Sequence, residues 1–316
     1  MELGNSWYQE AGWYQLPPYY YQDHGLAMTL GCSSAAGPGR HGQGSGTCNG
    51  GGFAWPNPNQ LLLRAQITLT TGTVVTHTSG QGWTAGSGPI VFNSIYDGEH
   101  YDARLEQPGW DQPAFTPPPG RAWAAAAIVE DSDNALLNAT LSSQLYEAIR
   151  VVEEETAHST WVSNGSYMFD FGRNMVGVIR LKITQPVAGV TVTLKHAEVK
   201  MHPPFGPADG SLYYGSLRNA HATDHYTMKG DGSGEEIYEP KFTSHGFRFL
   251  ELSGMPYAPQ ESDVVRLITH NDVVSRSSLL FNEGGAEILN SIAQGCRNSI
   301  VGNLLGCVVL THHSHF

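Results

Sequence analysis

The sequence predicts an all-β protein of antiparallel β-sandwiches that ends in a single helix. Three observations predict this class. The 316 residues include 37 Gly and 18 Pro but only 15% charged side chains, a composition typical of short strands joined by turns. Several segments alternate apolar and polar residues with a period of two. At roughly 100–200 residues per domain, the length corresponds to about two domains.

The first strand signal is a hairpin. The alternating positions of residues 61–70 predict a half-buried strand, whose apolar face carries Leu61, Leu63, Ala65, Ile67 and Leu69. Thr71-Gly72 marks a turn, and residues 73–76 predict the returning strand.

A second β region begins after residue 150. Residues 175–183 and 190–194 place alternate apolar side chains on one face, and Phe242–Leu252 predicts an aromatic-rich strand. Between the two β regions, the proline-rich segment Pro113–Ala127 predicts an extended connector. Residues 31–52 contain nine glycines and predict a low-complexity loop.

Helical periodicity follows Phe281. Apolar residues recur four apart, as on one face of an amphipathic helix, at Ile288, Ile292, Cys296 and Ile300. Asn282 precedes this segment and is predicted to cap the start of the helix.

Charge and composition exclude several classes of function. With 17 Lys+Arg against 29 Asp+Glu, the formal net charge is −12, which argues against nucleic-acid and anionic-membrane partners. No apolar run approaches the roughly 18–20 residues of a membrane span, and the first residues do not resemble a signal peptide. The compartment and the oligomeric state stay open.

Two features of the Gly-rich segment have simple alternatives. Cys32 and Cys48 flank it and either pair or stay free thiols. Residues 37–42 match a dinucleotide-binding fingerprint formally, but the strand and helix that the fingerprint requires are missing, so we predict no nucleotide cofactor.

The densest polar cluster is the segment 96–104. Its carboxylates, Asp97, Glu99 and Asp102, could serve as an acid/base pair, face a sugar or a cation, or form a structural loop that Arg104 neutralises. The structural or interdomain role is the leading interpretation.

Two other polar patterns do not indicate a metal site or a catalytic site. His221 and His225 have a metal-like spacing, but they lie in a segment of strand type, where residues four apart are distant along the strand, so we predict no metal site. The run Glu153–Glu155 is interpreted as a solvated face. Aromatic residues crowd the first 21 positions, where they could stack on sugars or fill a core.

Five stretches in order along the chain resemble the bacterial-type α-L-rhamnosidases, glycoside hydrolases that remove terminal rhamnose. The shared stretches are Leu3–Tyr8, Gly88–Trp110 with its Asp97-Gly98-Glu99 centre, Phe169–Gly177, His196–Asp224 and Glu239–Phe249. Together they cover most of the chain outside the Gly-rich segment.

The resemblance implies three domains. Residues 1–135 are expected to form an incomplete N-terminal jelly-roll-like domain, with the Gly-rich insertion at 31–52. Residues 136–272 are expected to form a concanavalin-like β-sandwich, and residues 273–316 the first helix of a truncated (α/α)₆ catalytic barrel. The family's acidic motif is not found after Cys307. We therefore expect a truncated gene product whose catalytic carboxylates would lie downstream of Cys307.

The resemblance also sets the expected function. The parent reaction is hydrolysis of terminal non-reducing α-L-rhamnose by inversion, without cofactor, on rhamnose-containing glycosides or polysaccharides. No residue is assigned as a metal ligand, and any calcium requirement stays open. A stand-alone carbohydrate-binding β-sandwich without catalysis is the alternative. The candidates for substrate binding or for bracing the barrel are Asp97, Glu99, Tyr101, Asp102, Arg104, Asp170 and Asn174.

Overall fold

A computed structural model describes residues 28–29, 60–61, 63–94, 97–112, 114–128, 147–217, 220–276, 278–282, 284–305 and 307–308. The strands are β1 (Met28–Thr29), β2 (Gln60–Leu61), β3 (Arg64–Thr68), β4 (Val74–Thr78), β5 (Thr84–Ala85), β6 (Ile90–Ser94), β7 (Gly98–Asp102), β8 (Ala124–Ala125), β9 (Ile149–Thr156), β10 (Ser159–Ser163), β11 (Ser166–Ile183), β12 (Thr191–Ala197), β13 (Val199–Lys200), β14 (Leu212–Tyr213), β15 (Thr223–Thr227), β16 (Glu236–Tyr238), β17 (His245–Ser253), β18 (Val264–Asn271), β19 (Leu304–Leu305) and β20 (Cys307–Val308). Within these ranges one α-helix occurs, α1 (Ala286–Gly302), besides short 3₁₀ turns at Ala103–Leu105, Gly215–Leu217 and Glu261–Asp263.

A curled ten-stranded sheet organises the described residues. Its order is β6-β7-β15-β12-β17-β11-β18-β9, and both β10 and β16 also pair with β11. The described pairs of this sheet are antiparallel except for β7 and β15, which run parallel. The β-rich class predicted from the sequence is confirmed, and the parallel junction is a departure from the antiparallel expectation.

The long strand β11 lies at the centre of the sheet. It has 18 residues, and its register on β17 shifts between Asp170 and Met175. As predicted, Met175, Ile179 and Leu181 are buried. Burial of a large apolar side chain contributes about 1.5–3 kcal/mol, so this strand is a main source of stability.

One main core covers one face of the sheet. It contains the predicted Val192–Leu194 face of β12 and the aromatic side chains of β11 and β17, here represented by Phe171 and Phe247. A smaller cluster consists of Met168, Ala197 and Phe249, on other positions of β11, β12 and β17, together with Leu212 of β14.

Residues assigned by sequence to the first domain take part in this sheet. Strands β6 and β7 belong to the 1–135 region, and β7 joins the sheet through β15. The boundary at 135 falls in 129–146, outside the described residues, so the domain limits stay predictions. The Cys32–Cys48 pair, the Gly-rich loop and the aromatic residues before position 22 also lie outside them.

The predicted hairpin is confirmed, but its half-buried face is not. Strands β3 and β4 pair antiparallel around Gly72, whose φ of 82° suits a glycine turn. Leu63 is buried, whereas Ile67 and Leu69 are 49% and 45% exposed. Alternation predicts which side chains share a face, whereas burial requires a second layer over that face.

The predicted helix is confirmed as α1, while its predicted cap is wrong. Gly285 occupies the N-cap position at a φ of 82°, without a side-chain cap. Asn290 instead reaches back from inside the helix, where it hydrogen-bonds the backbone N–H (2.9 Å) and carbonyl (3.0 Å) of Phe281.

The apolar stripe of α1 faces away from the sheet. Ile288, Ile292 and Ile300 are exposed, and the helix touches β11 near its end, where Gly302 lies against Val176. No helix in the described part of the chain is both long and apolar enough to cross a membrane.

Candidate functional site

Four polar side chains lie buried on one face of the ten-stranded sheet, and we name them the buried polar cluster. They come from neighbouring strands in the order β7, β15, β12 and β17. The members are Glu99, Asp224, His196 and His245, each at most 3% exposed. Strand side chains alternate between faces, so the cluster shares its face with the main core.

Glu99 attaches β7 to the rest of the sheet. Its Oε2 accepts hydrogen bonds from the backbone N–H groups of Lys241 (3.0 Å) and Phe242 (3.1 Å). Its own N–H donates to Asp224 Oδ1 at 2.9 Å, and the Tyr238 hydroxyl lies 3.3 Å from Oε1. Burial raises the pKa of Glu99 to about 8, and the charge of Asp224 acts in the same direction, against the lowering effect of the two N–H groups.

Two histidines contact Asp224 from β12 and β17. Their rings stack with centroids 4.1 Å apart. His245 Nε2 lies 3.1 Å from Asp224 Oδ1, and His196 Nε2 lies 3.9 Å from Oδ2. Burial opposes ionisation of Asp224, but His245 and His196 outweigh it and hold the pKa of Asp224 below its usual value.

Asp97, predicted from the sequence, lies beside this cluster and connects loops. Its Oδ1 accepts a hydrogen bond from the His221 N–H (3.2 Å), and its backbone carbonyl accepts one from the Thr223 N–H (2.9 Å). Asp97 is buried and joins the start of β7 to the start of β15, so its contacts are those of a structural residue.

The remaining predicted residues of this segment point elsewhere. The Tyr101 hydroxyl donates to Glu106 Oε1 at 2.9 Å, and its ring packs against the main core. Asp102 accepts two side-chain hydrogen bonds from Arg104, at 2.9 and 2.7 Å. This ion pair lowers the pKa of Asp102 and places the exposed Arg104 guanidinium at the surface.

Asp170 and Asn174 lie at the bulge of β11. Asp170 accepts hydrogen bonds from Arg248 Nε (2.7 Å), Arg248 Nη2 (2.9 Å) and the Gly172 N–H (2.7 Å). Asn174 Nδ2 donates to Glu198 Oε1 at 3.0 Å, and burial raises the pKa of Glu198. Among the described hydrogen bonds, those of the bulge share no residue with those of the buried polar cluster. The structure therefore separates the predicted residues into two groups.

The interpretation of Glu153–Glu155 as a solvated face is wrong for Glu155. Its side chain is 12% exposed and pairs with Arg173 and Arg266. Glu153 pairs with Arg173 at 2.6 Å, and Glu154 pairs with Arg180 at 3.0 Å. The arginines come from β11 and β18, so the network depends on strand pairing that the local sequence does not indicate.

Sequence reasoning missed His196, Asp224 and His245 as a group. It singled out His221 and His225 instead, whose side chains lie outside the cluster: His221 is exposed, and His225 Nδ1 lies 3.1 Å from Thr193 Oγ1. The available signal was the strand alternation around Asp224 and His196, which places both side chains on the core face.

Replacing Asp170 with Asn should weaken folding in a pH-dependent way. Burial raises the pKa of Asp170, but the Arg248 and Gly172 hydrogen bonds outweigh it and hold the pKa below its usual value. The stabilisation is therefore present above the unfolded pKa of about 3.9 and is lost as the pH falls through the folded pKa. At pH 7 we expect the free energy of unfolding of D170N, measured in urea, to be about 1.5–3 kcal/mol lower than that of wild type. The reason is the loss of charge-assisted hydrogen bonds.

The difference between wild type and D170N should shrink toward pH 3.5. Glu235→Gln, which removes a pair with Lys182 whose side chains are 50% and 41% exposed, is the control and should cost clearly less. A D170N difference that stays constant across this pH range would contradict the assignment.

Two family models match the chain. The alpha-L-rhamnosidase N-terminal domain matches residues 32–153, and the bacterial alpha-L-rhamnosidase concanavalin-like domain matches residues 160–270. The alpha-L-rhamnosidase of Streptomyces avermitilis is 41% identical over 211 residues, which is 66% of this chain and 19% of that protein. The alpha-L-rhamnosidase of Alteromonas sp. is 36% identical over 221 residues, 68% of this chain and 22% of that protein.

Solved structures show the same relationship. The alpha-L-rhamnosidase from Dictyoglumus thermophilum superposes with a TM-score of 0.68 at 31% sequence identity. The matched region covers 78% of this chain and 26% of that chain. The Streptomyces avermitilis alpha-L-rhamnosidase complexed with L-rhamnose superposes with a TM-score of 0.67 at 36% sequence identity. The matched region covers 81% of this chain and 23% of that chain.

The sheet and these matches define a β-rich chain that contains two domain types found in alpha-L-rhamnosidases. The chain belongs to the bacterial-type α-L-rhamnosidase family, and the matched regions are that family's N-terminal and concanavalin-like domains. It spans 19% and 22% of the lengths of the two relatives named above.

Proposed function

We propose that this chain is the non-catalytic β portion of an α-L-rhamnosidase and that it does not hydrolyse rhamnosides by itself. The whole enzyme would remove terminal non-reducing α-L-rhamnose from glycosides or polysaccharides by inversion. The similarity to alpha-L-rhamnosidases supports the reaction, and the state of the carboxylates supports the absence of catalysis in this chain.

The observation that carries the proposal is that every candidate carboxylate is already engaged inside the protein. An inverting glycosidase needs two carboxyl groups about 6.5–9.5 Å apart that flank the sugar and a water. Asp102 and Asp170 are paired with arginines, and Asp97 holds a loop.

Glu99 shows why a shifted pKa does not identify an acid catalyst here. A carboxyl with a pKa near 8 could donate a proton at neutral pH, as a general acid does. However, Glu99 is 0% exposed and its oxygens face backbone N–H groups, so no sugar can reach it. Its role is to hold strand β7 in the sheet.

The bulge of β11 and the segment 97–104 are proposed to brace the neighbouring domain in the whole enzyme. Support comes from α1, whose end packs at Gly302 against Val176, two residues beyond Asn174. The bulge turns the backbone at this contact, and the Asp170–Arg248 pair keeps the turn in place.

Incubating the full chain with an aryl α-L-rhamnoside should release no aryl alcohol above the uncatalysed rate. The physical reason is the absence of a free carboxylate pair among the described candidates. Turnover at an enzyme-like rate, roughly 1–10³ s⁻¹, would contradict the proposal. A saturable change of tryptophan fluorescence with rhamnose, without hydrolysis, would instead identify a sugar-binding module.

A further inference from the structure

We propose that His196, Asp224 and His245 form a binding site for a divalent transition-metal ion, with Zn²⁺ as the ion that fits the donors best. The site lies between strands β12, β15 and β17, inside the sheet. It departs from the sequence-based expectation of no metal site.

The first support is the geometry of the donor atoms. One ligand atom from each of the three side chains lies within 4.8 Å of the other two. Two imidazole nitrogens and one carboxylate oxygen are a donor set that Zn²⁺ binds, at about 2.0–2.2 Å from each donor. Two ligands of a tetrahedral Zn²⁺ at this distance lie about 3.4 Å apart, and the donor–donor separations of 3.1 and 3.9 Å in this cluster bracket that value.

The second support is a pair of buried acceptors without a donor. His196 Nδ1 lies 2.9 Å from the carbonyl oxygen of Ala222. A carbonyl only accepts, so Nδ1 carries the hydrogen and Nε2 presents its lone pair. Within the described part of the chain, neither His196 Nε2 nor Asp224 Oδ2 has a hydrogen-bond partner, although both side chains are 0% exposed. Two buried lone pairs 3.9 Å apart are costly unless a cation or a hydrogen-bond donor lies between them, and a cation also matches the charge of the Asp224 carboxylate.

The third support is the hydrogen bond that fixes the ring of His196. Metal-binding histidines commonly donate their other ring N–H to a carbonyl or carboxylate, which fixes the tautomer and the ring orientation. Ala222 O has this role for His196. The Thr243 hydroxyl lies 3.4 Å from His245 Nε2 and offers a further oxygen donor beside the three side chains.

Complete burial makes the site structural. A metal would enter as the chain folds, and it would replace the proton that His245 Nε2 shares with Asp224 Oδ1. It would also join three neighbouring strands through side chains, in addition to their backbone hydrogen bonds.

The test is metal content and stability of the full chain refolded from denaturant with Zn²⁺ or with a chelator. We expect about one Zn²⁺ per chain after desalting and a Tm at least about 5 °C higher with Zn²⁺. His196→Gln should lose the metal and the Zn²⁺-dependent rise in Tm. His225→Gln, next to Asp224 in sequence but outside the cluster, should keep both.

Two results would overturn the proposal. One is wild-type chain that refolds without bound Zn²⁺ and unfolds at the same temperature in both buffers, which would mean that a water bridges the two acceptors. The other is Zn²⁺ retained by His196→Gln and lost by His225→Gln, which would place the ion elsewhere. If His196→Gln does not fold, the wild-type comparison decides.

Discussion

Replacing Glu155 with Ala should destabilise the protein by about 3–5 kcal/mol, because it leaves the Arg266 guanidinium buried without a counter-charge. Arg266 is 0% exposed. Its Nε donates to Glu155 Oε2 at 3.0 Å, and Nη1 donates to the carbonyls of Phe247 (2.8 Å) and Arg173 (2.9 Å). Burial lowers the pKa of Arg266, whereas the Glu155 carboxylate raises it. Glu155 therefore stabilises the charged form of the buried guanidinium. Urea unfolding at pH 7 measures the loss.

Two further variants identify the cause. Glu154→Ala removes a half-exposed carboxylate that pairs with Arg180, which keeps its pair with Glu239, and should cost less than about 1 kcal/mol. The double variant E155L/R266M replaces the pair with apolar side chains and should recover much of the stability lost in Glu155→Ala. Equal losses in Glu154→Ala and Glu155→Ala would show that Arg266 does not need its partner.

Replacing Gly98 with Ala should separate β7 from β15 and cost at least about 3 kcal/mol. Gly98 has a φ of +107°, which side chains rarely adopt, and an added Cβ would lie 2.1 Å from the Thr223 carbonyl oxygen and 2.6 Å from Asp224 Oδ1. The backbone of β15 cannot move away from the added Cβ without losing its hydrogen-bonded pairing with β12. The Glu99 hydrogen bonds would be lost with the strand.

Urea unfolding and limited proteolysis check this result. Gly98→Ala should be cut within 90–102 under conditions in which wild type is intact. Gly120→Ala is the control, because Gly120 has a φ of +80° with no atom near its Cβ position, so only the backbone cost of about 1–2 kcal/mol applies. Matching losses and matching cleavage in the two variants would contradict a steric role for Gly98.

Local patterns predicted the elements well, and the reason is physical. Alternation of side chains is a property of each strand, so the β3–β4 hairpin and β11 follow from residues two apart. Helical spacing likewise located α1. The same patterns predicted burial poorly at Ile67 and at Ile288, because exposure depends on what packs over a face.

The candidate site was predicted only in part. Glu99 and Asp97 were selected as charged residues in a dense segment, and both are buried and hydrogen-bonded to groups of the protein itself. His196 and His245 were not selected, since nothing in the sequence around either one indicates that the two rings stack across β12 and β17.

The sequence by itself determined the β-rich class, the positions of the main strands and the helix, and the family, because these depend on residues close together along the chain or on motifs in a fixed order. Only the tertiary structure decided which charges are paired and buried. Glu99 meets Asp224 across 125 positions, and Glu155 meets Arg266 across 111. Such contacts arise from strand order and the parallel junction of β7 with β15, and the free energy of burying a charge depends on the partner that this order supplies.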